Sequence, residues 1–166
     1  KADGPPKGLV LDLRGTPGRN PWVGGFFMEM FTDAGNFYSM RGRDYRHSYT
    51  FRSRSKLLFP DLPMVVLVNG HTIAAAEAVA GGFADTGRAI VVGSTTHGTG
   101  AARTAPVLLN GGLFVLTTSY LYTATSNPID GLGVLPTVCT DGFATSADAV
   151  TTLRRGHGVL SAAQRN

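Results

Sequence analysis

Residues 64–100, MVVLVNGHTIAAAEAVAGGFADTGRAIVVGSTTHGTG, constrain this chain more than any other stretch. The apolar run 64–68 has the length of a buried strand and ends at the turn pair Asn69-Gly70. A helix is expected over 73–85, with Ala76, Val79, Ala80 and Phe83 on one apolar stripe. Ala74-Ala75-Ala76 lets that helix approach a neighbour closely. Thr72 is the expected N-cap and Gly87 the stop. Residues 88–92 form the next strand. The strand–helix–strand order predicts a parallel pair joined by a right-handed crossover. It also sets a helix N-terminus beside a strand end, where backbone N–H groups favour negative charge on a carbonyl oxygen.

The flanking segments extend this pattern. Residues 8–14 read as a buried strand ending at the turn cluster Gly15-Thr16-Pro17-Gly18. Residues 22–31 read as a helix whose apolar face is Trp22, Phe26, Phe27 and Met30. Gly24-Gly25 weaken that helix by about 1 kcal/mol each. Residues 36–56 mix aromatic and basic side chains, and Tyr45, His47, Tyr49 and Phe51 alternate. That period predicts a strand, as a hairpin or a solvated arm over the body of the domain. Such a mixture can stack on single-stranded nucleic acid. No nucleic-acid motif accompanies it, so contact with a peptide or partner ranks above nucleic acid. Beyond residue 100 the pattern is all-β: strands at 101–108 and 113–122 flank Asn110-Gly111-Gly112, a hairpin signal. Asn127-Pro128-Ile129-Asp130-Gly131 is a turn. A last helix is expected over 145–155, capped by Thr145 or Ser146 and stopped by Gly156.

At 166 residues, 43% hydrophobic and 16% charged, the chain has the composition of one soluble α/β domain, residues 1–166. It has a parallel-sheet core and a β-rich second half. No apolar run reaches the roughly 18 residues of a membrane span. One cysteine, Cys139, excludes an internal disulfide and a multi-cysteine zinc site. No histidine has a second ligand at metal spacing, so no metal or cofactor is expected. Lys1 is no initiator methionine and residues 1–4 are no signal peptide, so the chain reads as processed or excised from a longer one.

Five collinear segments carry a resemblance: LDLRGTPG (11–18), VNGHTIAAAE (68–77), DTGRAIVVG (85–93), HGTG (97–100) and IDGLGVLP (129–136). Together they resemble the C-terminal processing, or tail-specific, serine peptidases. That resemblance implies a ClpP/crotonase-like fold of stacked β-β-α units and a periplasmic or secreted location. It also implies a preceding segment, often with a PDZ domain, that these residues lack, and it leaves oligomerisation open.

The family's reacting side chains do not carry over. Its serine nucleophile falls on Ala74, its lysine base on Thr99 and its supporting glutamine on Arg103. A methyl group cannot attack a carbonyl, and a threonine hydroxyl is no base at neutral pH. The backbone cradle is retained: Gly18 and the N–H of Ala75 match the oxyanion pair. Tricorn-type relatives use an acidic residue before the late Gly-x-Gly, which is Asp130 here, in place of the lysine. His71 and His97 flank the same helix start and read as turn residues. Three functions follow. The first is a non-catalytic domain that binds extended peptides, unstructured protein or protein C-termini. The second is a serine endopeptidase whose nucleophile was replaced at Ala74 or whose base comes from outside the chain. The third is a small-molecule or lipid-binding module, as in the retinoid-binding interphotoreceptor relatives.

Overall fold

The run 64–68 forms an inner strand of a parallel sheet in the computed structural model, which describes Gly4 and residues 6–33, 35–54 and 57–140. The helix expected over 145–155 lies outside the described residues. In chain order the elements are β1 (Leu9–Asp12), β2 (Pro17–Gly18), α1 (Pro21–Glu29), β3 (Asn36–Gly42), β4 (Tyr49–Arg52), β5 (Met64–Val68), β6 (Ile73–Ala74), α2 (Ala75–Asp85), β7 (Ile90–Gly93), β8 (Ala101–Thr104), β9 (Leu116–Thr123) and β10 (Val138–Cys139). The sheet order β1-β5-β7-β10 is parallel throughout, as the strand–helix–strand pattern predicts. A second sheet, β4-β3-β9-β8, is antiparallel and holds the β-rich half.

α2 lies between the two sheets, which explains why nearly all of it is apolar. Val66, Val68 and Val91 meet Ala78, Ala80 and Phe83 on one face of the parallel sheet. Val65 and Leu67 point the other way and pack with Ile90, Val92 and Val138. A strand covered on both faces shows no alternation, and that is why 64–68 reads as a continuous apolar run.

α1 keeps half of its expected face: Phe27 and Met30 pack against the core. Trp22 is 46% exposed and Phe26 67% exposed, while Gly25 and Met28 are buried. Asn20 caps the helix, its side-chain oxygen accepting from the Trp22 N–H at 2.9 Å. The glycine pair that weakens the helix by propensity is what lets it dock. A Cβ on Gly24 would stand 2.6 Å from Val79 Cγ2 and 3.0 Å from the Tyr38 hydroxyl. That hydroxyl donates to the Pro21 carbonyl, and burial pushes the Tyr38 phenol well above its ordinary range.

Of the segment 36–56, the described residues 36–54 form the expected hairpin but no solvated arm. β3 sits between β4 and β9, and Phe37, Tyr38 and Phe51 belong to the core. The alternation over 45–51 breaks because Tyr45–His47 is a 3-10 turn, capped by Asp44, that leaves Tyr45 in solvent. The basic side chains dress the sheet's outer parts: Arg41 lies 4.4 Å over the Tyr122 ring and Arg46 pairs with Asp44. Arg88 ties the layers together by donating to the carbonyls of Phe31, Phe59 and Leu62.

Propensity and packing make opposite forecasts for Gly24→Ala. Alanine favours an isolated helix by about 1 kcal/mol. Overpacking against Val79 costs roughly 1–3 kcal/mol, so the variant is expected to unfold at lower urea concentration than the parent.

Candidate active site

The site is assembled where the short strands β2 and β6 pair, with Gly18 opposite Ala74. The Ile73 N–H donates to the Thr16 carbonyl at 3.1 Å and fixes that register. Ala74 then turns the chain sharply into α2, at φ 55° and ψ −115°. These are the dihedrals of the first central position of a type II′ turn, normally held by glycine. A side chain there costs on the order of 1–3 kcal/mol.

This turn moves the helix start. α2 begins at Ala75, not at 73, and Thr72 is not its cap. The Thr72 hydroxyl is fully buried, donates to the Leu13 carbonyl at 2.9 Å and accepts from the Asn69 N–H at 3.1 Å. It fastens the loop after β5 to the end of β1, and two residues of β6 separate it from the helix.

The capping role falls to Glu77, whose side chain is fully buried. Its Oε2 accepts from the N–H of Ala74 and from the N–H of Thr99, each at 2.8 Å. Its Oε1 accepts from the Gly98 N–H at 2.6 Å and from the Thr96 hydroxyl. Ala74 and Thr99, the two positions singled out as nucleophile and base, are therefore held two hydrogen-bond lengths apart by one carboxylate oxygen. Thr96 continues the network by accepting from the Val134 N–H at 2.8 Å. Sequence reading passed over Glu77. Its signal was the spacing of a capping box, acid three residues after the cap, with the first half erased by alanine.

Above this floor lies an open cleft of about 330 Å³. Gly18, Ala74, Ala75 and Arg103, four of the expected site residues, line it together with Met40, Ala101 and Leu121. Arg19, not singled out beforehand, lines it too. Gly18 is there because nothing larger fits: a Cβ would lie 2.2 Å from the Ala76 nitrogen and 2.8 Å from the Ala75 nitrogen. Thr99 is held at the edge, its hydroxyl 2.8 Å from His97 Nδ1, and is not in the lining. Asp130 is exposed and its carboxylate makes no hydrogen bond among the described residues; its backbone packs against Gly100. His71 is exposed on the turn after β5. Among the described residues no cluster of histidine, cysteine or acidic side chains is placed to hold a metal ion.

Residues 4–140 match the model of peptidase family S41, and the chain belongs to that family. A carboxy-terminal-processing protease of Bartonella bacilliformis is 34% identical over 132 residues, 80% of this chain and 30% of its own length. A carboxyl-terminal-processing protease of Picosynechococcus is 32% identical over 128 residues, 76% of this chain and 30% of its own length. The chain thus spans about a third of the length of these relatives. Among solved structures, the photosystem II D1 C-terminal processing protease superposes with a TM-score of 0.72 at 29% identity, over 80% of this chain and 34% of that one. Family and mixed α/β fold agree with the sequence reading.

Two substitutions probe the floor of the cleft. Glu77→Ala removes the acceptor of three backbone N–H groups and is expected to cost roughly 3 kcal/mol or more in chemical denaturation. Ala74→Gly relieves the positive-φ turn and is expected to stabilise the fold by about 1 kcal/mol, the strain relieved exceeding the extra freedom of the unfolded chain.

Proposed function

We propose that this domain binds extended peptides or protein C-termini in the cleft beside Ala74 and does not cut them. The observation that carries this reading is the side chain at the strained turn. The backbone of Ala74 is posed as a nucleophile's would be, yet it carries only a methyl group. Among the described residues that line the cleft none is a histidine, lysine or carboxylate, and the Thr99 hydroxyl is paired with His97 outside the lining.

What remains is suited to holding a peptide. β8 is an edge strand of the antiparallel sheet, and its residues Ala101, Ala102 and Arg103 line the cleft. An extended segment can add to that edge through main-chain hydrogen bonds. The N-terminus of α2 at Ala75 and the close-packed Gly18 offer a polarising surface to a carbonyl or carboxylate oxygen. The two-residue β2–β6 ladder already engages backbone groups there, so a ligand oxygen has to share or displace that pairing. An open cleft with two arginines also favours a peptide over a retinoid-like molecule, which needs an enclosed apolar cavity.

The retained strain at Ala74 favours one second reading, a serine endopeptidase whose nucleophile was exchanged for alanine. The two readings part at Ala74→Ser. On the binding reading the variant, incubated with an unstructured protein and followed on a gel, leaves that substrate intact. Robust cleavage by Ala74→Ser would overturn the binding reading and establish the second.

A further inference from the structure

The cleft carries fixed positive charge, and among the described residues no acidic side chain lines it. Arg19 follows β2 directly and Arg103 belongs to β8, so two separate segments each deliver a guanidinium to the lining. Among the described residues neither guanidinium has a hydrogen-bond or ion-pair partner. Arg14 and Arg46, by contrast, are paired with Asp12 and Asp44, and Arg88 donates to three carbonyls. Arg43 and Arg52 also lack such partners but do not line this cleft. The rest of the lining is small or apolar: Pro17, Pro21, Met40, Ile73, Ala101 and Leu121. A pocket with apolar walls and two unpaired guanidiniums matches a ligand that is mainly apolar and carries one planar anion. A carboxylate is the anion whose geometry the guanidinium fork fits in two-point fashion.

We infer that Arg19 and Arg103 select ligands bearing a carboxylate, so that the cleft takes peptides through a negatively charged group and not through backbone pairing alone. This inference rests on the peptide-binding reading above and gives it a ligand class. The carboxylate has two sources, a free C-terminus or an aspartate or glutamate side chain. Both arginines are exposed to solvent, which makes the preference moderate and sensitive to salt.

The test is calorimetric titration of the full chain with three acetylated six-residue alanine–valine peptides. One has a free C-terminal acid, one is the C-terminal amide, and one is the amide with glutamate at its fifth position. The acid, the glutamate peptide or both are expected to bind about tenfold more tightly than the neutral amide. Whichever does identifies the source of the carboxylate. That advantage is expected to shrink as salt rises from 50 to about 500 mM, and to disappear in the double variant Arg19→Gln, Arg103→Gln. Each single variant is expected to lose part of it, and a thermal melt of each confirms an intact fold. Equal binding of all three peptides, or a preference that survives the double variant, overturns the carboxylate inference and leaves peptide binding standing. Failure of every peptide to bind overturns both.

Discussion

Burying a carboxylate with no cation beside it is among the more expensive things a fold can do. Glu77 is fully buried, and it is compensated entirely by donors: the N–H groups of Ala74, Gly98 and Thr99 and the hydroxyl of Thr96. Its position at N3 of α2 also sets its charge against the positive end of the helix. Through Thr96 the network reaches Val134, so the turn at 74, the loop 96–99 and the loop 129–134 form one rigid object. The glycine-rich segments that identify the family are the chain on either side of this carboxylate. Their glycines are needed where backbone passes against backbone, as Gly100 does against Asp130.

That object explains how Ala74 stays in a conformation most residues avoid. Its N–H is held by Glu77, its strand register is held by Gly18, and the helix behind it is fixed between two sheets. A strained residue persists only when its surroundings over-determine it. Here α2, through its own placement and through Glu77, and the β2–β6 pairing do so, and neither depends on what the side chain at 74 is. The geometry of this turn therefore does not require any particular side chain at 74.

The sequence disclosed the layers better than the edges. Apolar runs at 64–68 and 90–93 announced the parallel sheet because strands buried on both faces leave a continuous signal. The start of α2 was misplaced because a two-residue strand and a positive-φ alanine have no local composition to betray them. Thr72 looked like a cap because its type suits one, whereas tertiary contacts with Leu13 and Asn69 claimed it. In α1 half of the expected apolar face holds, since Phe27 and Met30 pack on the core while Trp22 and Phe26 are exposed. The small residues, Gly24 and Gly25, make the close contact. The arm at 36–56 looked solvated because its arginines are conspicuous, yet Phe37, Tyr38 and Phe51 between them are core. Motif spacing brought Gly18, Ala74, Ala75 and Arg103 to one cleft. It could not reveal Arg19 as their neighbour, and of Glu77 the capping-box spacing shows only the contact with Ala74, since its bonds to Thr96, Gly98 and Thr99 arise across the fold.

Recognition and reaction use different atoms in this cleft. An edge strand, a helix N-terminus, a tightly packed glycine and two arginines act through backbone geometry and fixed charge, and none transfers a proton. A nucleophile and its base act through two side chains whose loss leaves those features in place. If positions 74 and 99 are the family's serine and lysine positions, as the motif resemblance implies, alanine and threonine there change little that a bound peptide would touch. Arg103 does bear on what a peptide would touch, because it brings a guanidinium to the cleft wall. On the proposed reading, Ala74 and Thr99 leave the cleft without groups that act on a bond, while Arg103 adds one that acts on a ligand's charge, and both favour holding a peptide over cleaving it.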